Sequence, residues 1–214
     1  MSAATPTSVI ALSLLCLGLG CAQTKPGEWR PLFDGKSLQN WKETPYTDKG
    51  AVRAEKGELT LCVGKPMTGV RWVGPDLPNA DYEVRFEAVR LQGSDFFAML
   101  TFPVGDDFCT WVTGGWGGDI VGLSNLDDAD AADNDTRAYF TFETGRWYAF
   151  RIRVTLEKFT AWIDEKPVTD VEISGRKIGL RYGEDKLSVP FGFTSYNTKG
   201  ALRKIEFREL PVRR

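Results

Sequence analysis

Apolar and polar side chains alternate with a period of two over much of the chain. In residues 81–91 (DYEVRFEAVRL), Tyr82, Val84, Phe86 and Ala88 fall on one face, and Glu83, Arg85, Glu87 and Val89 on the other. That pattern predicts a half-buried strand. Residues 147–155 read the same way, with Tyr148, Phe150, Ile152 and Val154 on one side and Arg151 and Arg153 opposite. Leu156-Glu157-Lys158 separates this run from residues 159–163, which predicts a hairpin, and Asp164-Glu165-Lys166 is the next turn. Further strands are expected at residues 58–63, 95–102, 108–113, 137–142, 190–196 and 201–210. No stretch of a dozen residues holds a helical period. Short strands spaced by about 8 to 12 residues point to an all-β fold, two antiparallel sheets packed as a sandwich.

The first residues break this grammar. Residues 1–24 hold no acidic group, Lys25 is the first basic residue, and Val9 to Leu19 form an apolar core of the length found in a signal peptide. It is too short to span a bilayer. Gly18-Leu19-Gly20-Cys21 approximates a lipobox, which would place a lipid anchor on Cys21. Gly20-Cys21-Ala22 also offers the small residues that the soluble export route reads. A membrane-anchored lipoprotein and a periplasmic or extracellular protein therefore both stand, and either is exported. The division expected is a leader over 1–21, a polar tether over 22–29 (AQTKPGEW) and one domain over 30–210.

Composition narrows the chemistry. The formal charge is −2 with no basic stripe, so nucleic acid is not an implied partner and a membrane enters only through a lipid anchor. The chain has no His, which removes a Ser-His-Asp triad and a His-ligated zinc site. Beyond the leader only Cys62 and Cys109 remain, too few for a Cys-rich metal site. They could form one bridge in an oxidising compartment or stay as buried thiols. Catalysis must run on carboxylates, Lys, Tyr or a hard cation held by oxygen.

Three stretches could carry that chemistry. Thr113-Gly114-Gly115-Trp116-Gly117-Gly118-Asp119 sets an indole among glycines, so backbone can approach a ligand while Trp116 offers a stacking surface. Gly115, Trp116 and Gly117 are candidate substrate-binding residues, and Asp119 is a candidate base. The other reading is a bulge with Trp116 in the core. Asp95 opens an apolar strand, where desolvation could raise it toward base duty or where backbone N–H groups could simply satisfy it. Asp127, Asp128, Asp130, Asp133 and Asp135 crowd one loop, which reads as a solvated acidic segment or as oxygen ligands for a divalent cation such as calcium. No metal-ligand set is assigned and no cofactor is certain.

Several segments taken together resemble a known family. Leu32-Phe33-Asp34-Gly35-Lys36-Ser37-Leu38-Gln39-Asn40-Trp41 looks like the opening of the 3-keto-disaccharide hydrolase domain family. Ala54-Glu55-Lys56-Gly57-Glu58-Leu59, Asp81-Tyr82-Glu83-Val84-Arg85-Phe86 and Gly145-Arg146-Trp147-Tyr148 are similar to its later strands. Ala161-Trp162-Ile163-Asp164 and residues 202–208 continue the match to its closing strand. The resemblance implies a concanavalin A-like jelly roll, exported and often lipid-anchored, acting on carbohydrate. The activity it implies is cleavage of glycosides oxidised to the 3-keto sugar: the ketone acidifies the C2 hydrogen, a base removes it, and the C1 substituent leaves. With no His in this chain, Asp95 and Asp119 are the bases the residues offer. A noncatalytic carbohydrate-binding module is the alternative, and a structural envelope protein is third, favoured if Trp111, Trp116 and Trp147 are all core.

Overall fold

A computed structural model of the chain describes residues 27–211. The leader, the anchor candidate Cys21 and most of the tether lie outside the described residues. In chain order the strands are β1 (Arg30–Pro31), β2 (Trp41–Glu43), β3 (Val52–Glu55), β4 (Glu58–Leu61), β5 (Met67–Trp72), β6 (Tyr82–Gln92), β7 (Met99–Val104) and β8 (Asp107–Gly115). They continue as β9 (Ile120–Ser124), β10 (Ala138–Tyr139), β11 (Trp147–Val154), β12 (Lys158–Ile163), β13 (Lys166–Glu172), β14 (Gly192–Tyr196) and β15 (Lys199–Glu209), with a 3-10 turn at Glu184–Ser188 before β14.

These form two antiparallel sheets packed face to face, a jelly roll. One runs β13-β12-β11-β6-β15-β4-β3 with β1 on β15, and the other runs β10-β9-β8-β7-β14-β5-β2. The expected faces of β6 and β11 meet the core. Phe86 and Phe150 are register partners, and their rings stack at 5.0 Å. Trp111 is fully buried among them. Trp147 is half-buried, covered by the Arg203 guanidinium 4.0 Å from its ring. The opening motif is a structural hook: Asp34 accepts N–H bonds from Lys36 and Ser37, both at 2.8 Å, and Trp41 Nε1 donates to the Leu32 carbonyl at 2.9 Å.

Several elements differ from the sequence expectation. Residues 95–98 are not strand, because Asp95 Oδ1 accepts the Phe96 N–H and turns the chain before β7. Residues 137–142 shrink to the two residues of β10, since Phe142 leaves the sheet and packs against Phe97 and Tyr148 in the core. The strands β5 and β9 carry no alternation to read, because nearly every residue in them is buried. Cys62 and Cys109 are free thiols and form no bridge; burial pushes the Cys109 thiol up to about 12.

The outer faces of the two sheets are built differently. On the first, Glu83 is fully buried beneath three arginines. Arg153 Nε reaches it at 2.6 Å, Arg208 bonds its other oxygen, and Arg151 lies at 3.5 Å. On the second, Met99, Val112, Ile120 and Ala131 form a separate apolar cluster with Phe96 and Ala132 packed against it. The loop between β9 and β10 supplies Ala131 and covers part of this face. What is left uncovered is a groove.

Candidate functional site

The groove measures about 330 Å³, at the lower end of the range for small-molecule sites. Its floor comes from the strands of the second sheet: Met67, Met99, Val112 and Ser124. Phe96 and Tyr196 form an apolar wall, their rings 5.4 Å apart. Polar groups stand at the rim: Asp95, Arg181, Glu184 and Asp185, with Trp116 and Tyr182 as aromatic edges.

Each rim residue is held by a local cause. The glycine-rich turn between β8 and β9 runs through left-handed backbone at Trp116 (φ 50°), Gly117 (φ 97°) and Gly118 (φ 126°). Glycine is needed at 118, because a Cβ there would come within 2.4 Å of the Ser94 carbonyl oxygen. The turn lifts Trp116 out of the sheet, leaving it 40% exposed. The Gly117 N–H then donates to Asp95 Oδ2 at 3.3 Å, while Asp95 Oδ1 accepts the Phe96 N–H at 2.8 Å. Asp95 and Trp116 therefore share one rim.

The other sequence candidates go elsewhere. Gly115 is buried in β8, where a Cβ would stand 2.7 Å from Val112 Cγ1. Gly117 contributes its N–H to Asp95 and is not part of the groove lining. Asp119 is exposed and outside the groove: the left-handed run redirects the chain into β9, and the Asp119 carbonyl accepts the Phe140 N–H at 2.8 Å. The pairing of Asp95 with Asp119 is thus not assembled.

The opposite rim comes from the segment before β14, for which the sequence pattern predicts no strand. Asp185 is half-buried at the groove. Desolvation pushes its carboxyl up to about 6, with Arg181 opposing and the Glu184 charge reinforcing the shift. Glu184 accepts a bond from Thr47 Oγ1 at 3.2 Å. The Arg181 guanidinium lies 5.6 Å from the Trp116 ring centroid and 3.8 Å from Asp130. Tyr182 is fully exposed. The available signal was Arg181-Tyr182-Gly183-Glu184-Asp185, a cation, an aromatic ring and two acids in one turn.

The acidic loop is occupied by bases. Arg176 pairs with Asp127 and Asp135, each at 2.8 Å, and Lys177 with Asp128 at 2.7 Å. The Asp127 carboxyl is lowered by the Lys177 N–H and by Arg176. Mutual repulsion is relieved by these cations, and among the described residues no three acidic or thiol groups are placed to hold a metal ion.

A second cleft, of about 390 Å³, lies on the outer face of the first sheet. Its indoles are already covered, Trp29 by Arg85 at 4.3 Å and Trp162 by Arg151 at 3.8 Å. At the groove the Trp116 indole is less closely covered, with Arg181 5.6 Å from its ring, and it stands beside a carboxyl of raised pKa.

The 3-keto-alpha-glucoside-1,2-lyase-like domain family matches residues 28–213. No curated protein matches the chain. Among solved structures, the carbohydrate-binding module CBM66 from Bacillus subtilis is similar at 10% identity and TM-score 0.55, covering 84% of this chain and 100% of that one. The Crh5 transglycosylase in complex with NAG has 14% identity and TM-score 0.55, covering 86% of this chain and 84% of that one. Domain 4 of AbnA, an extracellular arabinanase of Geobacillus stearothermophilus in complex with arabinotriose, has 14% identity and TM-score 0.53, covering 81% and 84%. At these identities the likeness is one of fold.

Proposed function

The chain belongs to the 3-keto-alpha-glucoside-1,2-lyase-like domain family, and on that premise we propose that it is an exported protein cleaving 3-keto-glycosides, with Asp185 as the base. The observation that carries this reading is the Asp185 carboxyl, pushed up to about 6 by burial beside the groove. A base with that affinity is ionised at neutral pH, yet binds a proton more readily than an ordinary carboxylate. The C3 ketone acidifies the C2 hydrogen. Asp185 takes that proton, the electron pair moves onto the C3 oxygen as an enolate, and its collapse expels the C1 oxygen. The departing oxygen takes up a proton, and water adding across the resulting C1–C2 double bond gives the free 3-keto sugar. Arg181 is the cation at the rim suited to favour the enolate, and Trp116 offers its face to the sugar ring.

The test is incubation of the purified domain with 3-keto-trehalose or a methyl 3-keto-glucoside, with and without divalent cations. Release of 3-keto-glucose that is lost in Asp185→Asn supports the reading. No release in any condition removes it. Binding without turnover is the second reading, favoured by the exposed Trp116 and Tyr182 rings at the rim, and calorimetry with neutral glycans separates the two. Export rests on the apolar leader, and mass spectrometry of Cys21 in the membrane fraction distinguishes anchoring from secretion.

A further inference from the structure

The 3-10 turn that carries Asp185 is only five residues long, and the residue that precedes it, Gly183, has no side chain to cap it. Most of the segment around it is exposed, including Tyr182, Gly183 and Lys186. Such a turn does not hold its own position, so its placement must come from tertiary contacts.

Those contacts converge on one buried group. Ser188, the last residue of the turn, is fully buried. Its hydroxyl lies 2.6 Å from the Tyr46 phenol and 3.1 Å from Thr194 Oγ1. The phenol in turn lies 3.0 Å from Thr194 Oγ1, which closes a triangle of three hydroxyls. Thr194 belongs to β14, whereas Tyr46 lies between β2 and β3, so the triangle ties three separate segments to the groove face of the second sheet.

The sheet is shaped to receive it. Gly69 of β5 is the register partner of Thr194, and a Cβ at Gly69 would stand 3.0 Å from Tyr46 Cε2. A Cβ at Gly192 of β14 would stand 2.8 Å from the Ser188 carbonyl oxygen and 3.2 Å from Ser188 Cβ. Neighbouring strands thus omit side chains where the Tyr46 ring and the end of the turn press down. The paired strands press on the same places, since a Cβ would also stand 2.6 Å from the Phe193 carbonyl oxygen at Gly69 and 2.6 Å from the Val70 carbonyl oxygen at Gly192.

We propose that Tyr46 is a positioning residue for Asp185: its phenol, closing the triangle with Ser188 and Thr194, seats the turn on the sheet and thereby holds the Asp185 carboxyl against the groove. The inference rests on the reading of Asp185 as the base. Removal of the phenol hydroxyl frees the end of the turn and lets water reach Asp185. The charged and titratable groups that face Asp185 are Arg181, Tyr182 and Glu184 on its own segment, Asp95 and the Tyr196 phenol of β14 around the groove, and Tyr46 beneath, whose phenol burial pushes up to about 12. None of these is changed by Tyr46→Phe except the phenol itself.

The experiment is a carbon NMR titration of the Asp185 carboxyl, assigned with Asp185→Asn, in the wild-type protein, Tyr46→Phe and Ser188→Ala. Both latter variants are checked for folding by circular dichroism. The expected result is a midpoint that drops from about 6 by roughly one pH unit toward the ordinary carboxylate range, in both variants. With a 3-keto-glycoside, kcat falls about tenfold while KM changes little. An unchanged midpoint and unchanged kcat in either folded variant would overturn the proposal. A midpoint that drops while the wild-type protein turns over no 3-keto-glycoside leaves Tyr46 as the residue that seats Asp185, and it is then the assignment of the base that fails.

Discussion

The backbone N–H of Gly117 donates to Asp95 Oδ2 at 3.3 Å across the mouth of the groove, and this bond decides where the neighbouring indole stands. Gly118 packs against the Ser94 carbonyl so closely that no Cβ fits. The two segments are thereby locked together, and Trp116 projects from the junction to line the groove.

Because Trp116 is 40% exposed and belongs to neither apolar cluster, its removal should be felt more in binding than in folding. Trp116→Ala is expected to weaken affinity for a sugar ligand by about five- to tenfold, corresponding to roughly 1 kcal/mol for a lost stacking partner. The unfolding free energy should move by less than about 0.5 kcal/mol. Calorimetric titration alongside urea denaturation separates the two quantities.

The raised Asp185 carboxyl sets a pH profile. A base must be ionised to accept the C2 proton, so kcat/KM on a 3-keto-glycoside should rise with pH through about 6 and then level off. Asp185→Asn should lower kcat by about a hundredfold or more and abolish that limb of the profile. An unshifted limb in the variant would assign the titration to another group.

The same shift has a sign in stability. The folded carboxyl titrates at about 6 and the unfolded one at 3.8, so below the lower value both states are protonated and no penalty arises. As pH rises between the two, the unfolded state ionises first, and the stability contributed by this group is lost, up to ~3 kcal/mol at full shift. Asp185→Asn cannot ionise. It should therefore match the wild-type protein in stability near pH 4 and exceed it above pH 6.5, as read from denaturation midpoints at the two pH values.

How much of this was legible in the chain depends on the residue. Strands β6, β11 and β12 announce themselves because one face is apolar and the other is charged or mixed, whereas β5 and β9 are buried almost throughout, so their residues show no apolar and polar alternation. Asp95 and Trp116 stood out because an acid at the head of an apolar run and an indole among glycines are locally unusual. Asp119 shared that local signal, but the left-handed run at residues 116–118 directs the chain away from the groove. Around Asp185 the only local mark is a cation, an aromatic ring and two acids in one turn; its raised pKa comes from burial, and its seat from Tyr46, about 140 residues earlier in the chain.

Glu83 is the plainest case of a charge whose meaning only packing reveals. Alternation assigns it to the outer face of β6, where a lone carboxylate would be solvated, yet it is 0% exposed. It lies beneath the guanidinium groups of Arg153, Arg208 and Arg151, all of which lie over indoles, Arg208 on Trp29 and Arg151 and Arg153 on Trp162. A buried ion is tolerated when opposite charges and hydrogen bonds replace water on every side, and taking one partner away leaves the others uncompensated. Glu83→Gln keeps the volume but removes the charge that three cations share, so it should cost about 3 kcal/mol or more in urea denaturation. Glu206→Gln, which removes the partner of the more exposed Arg85, should cost less than about 1 kcal/mol. Equal losses in the two variants would mean that the network contributes by surface charge balance and not through the buried carboxylate.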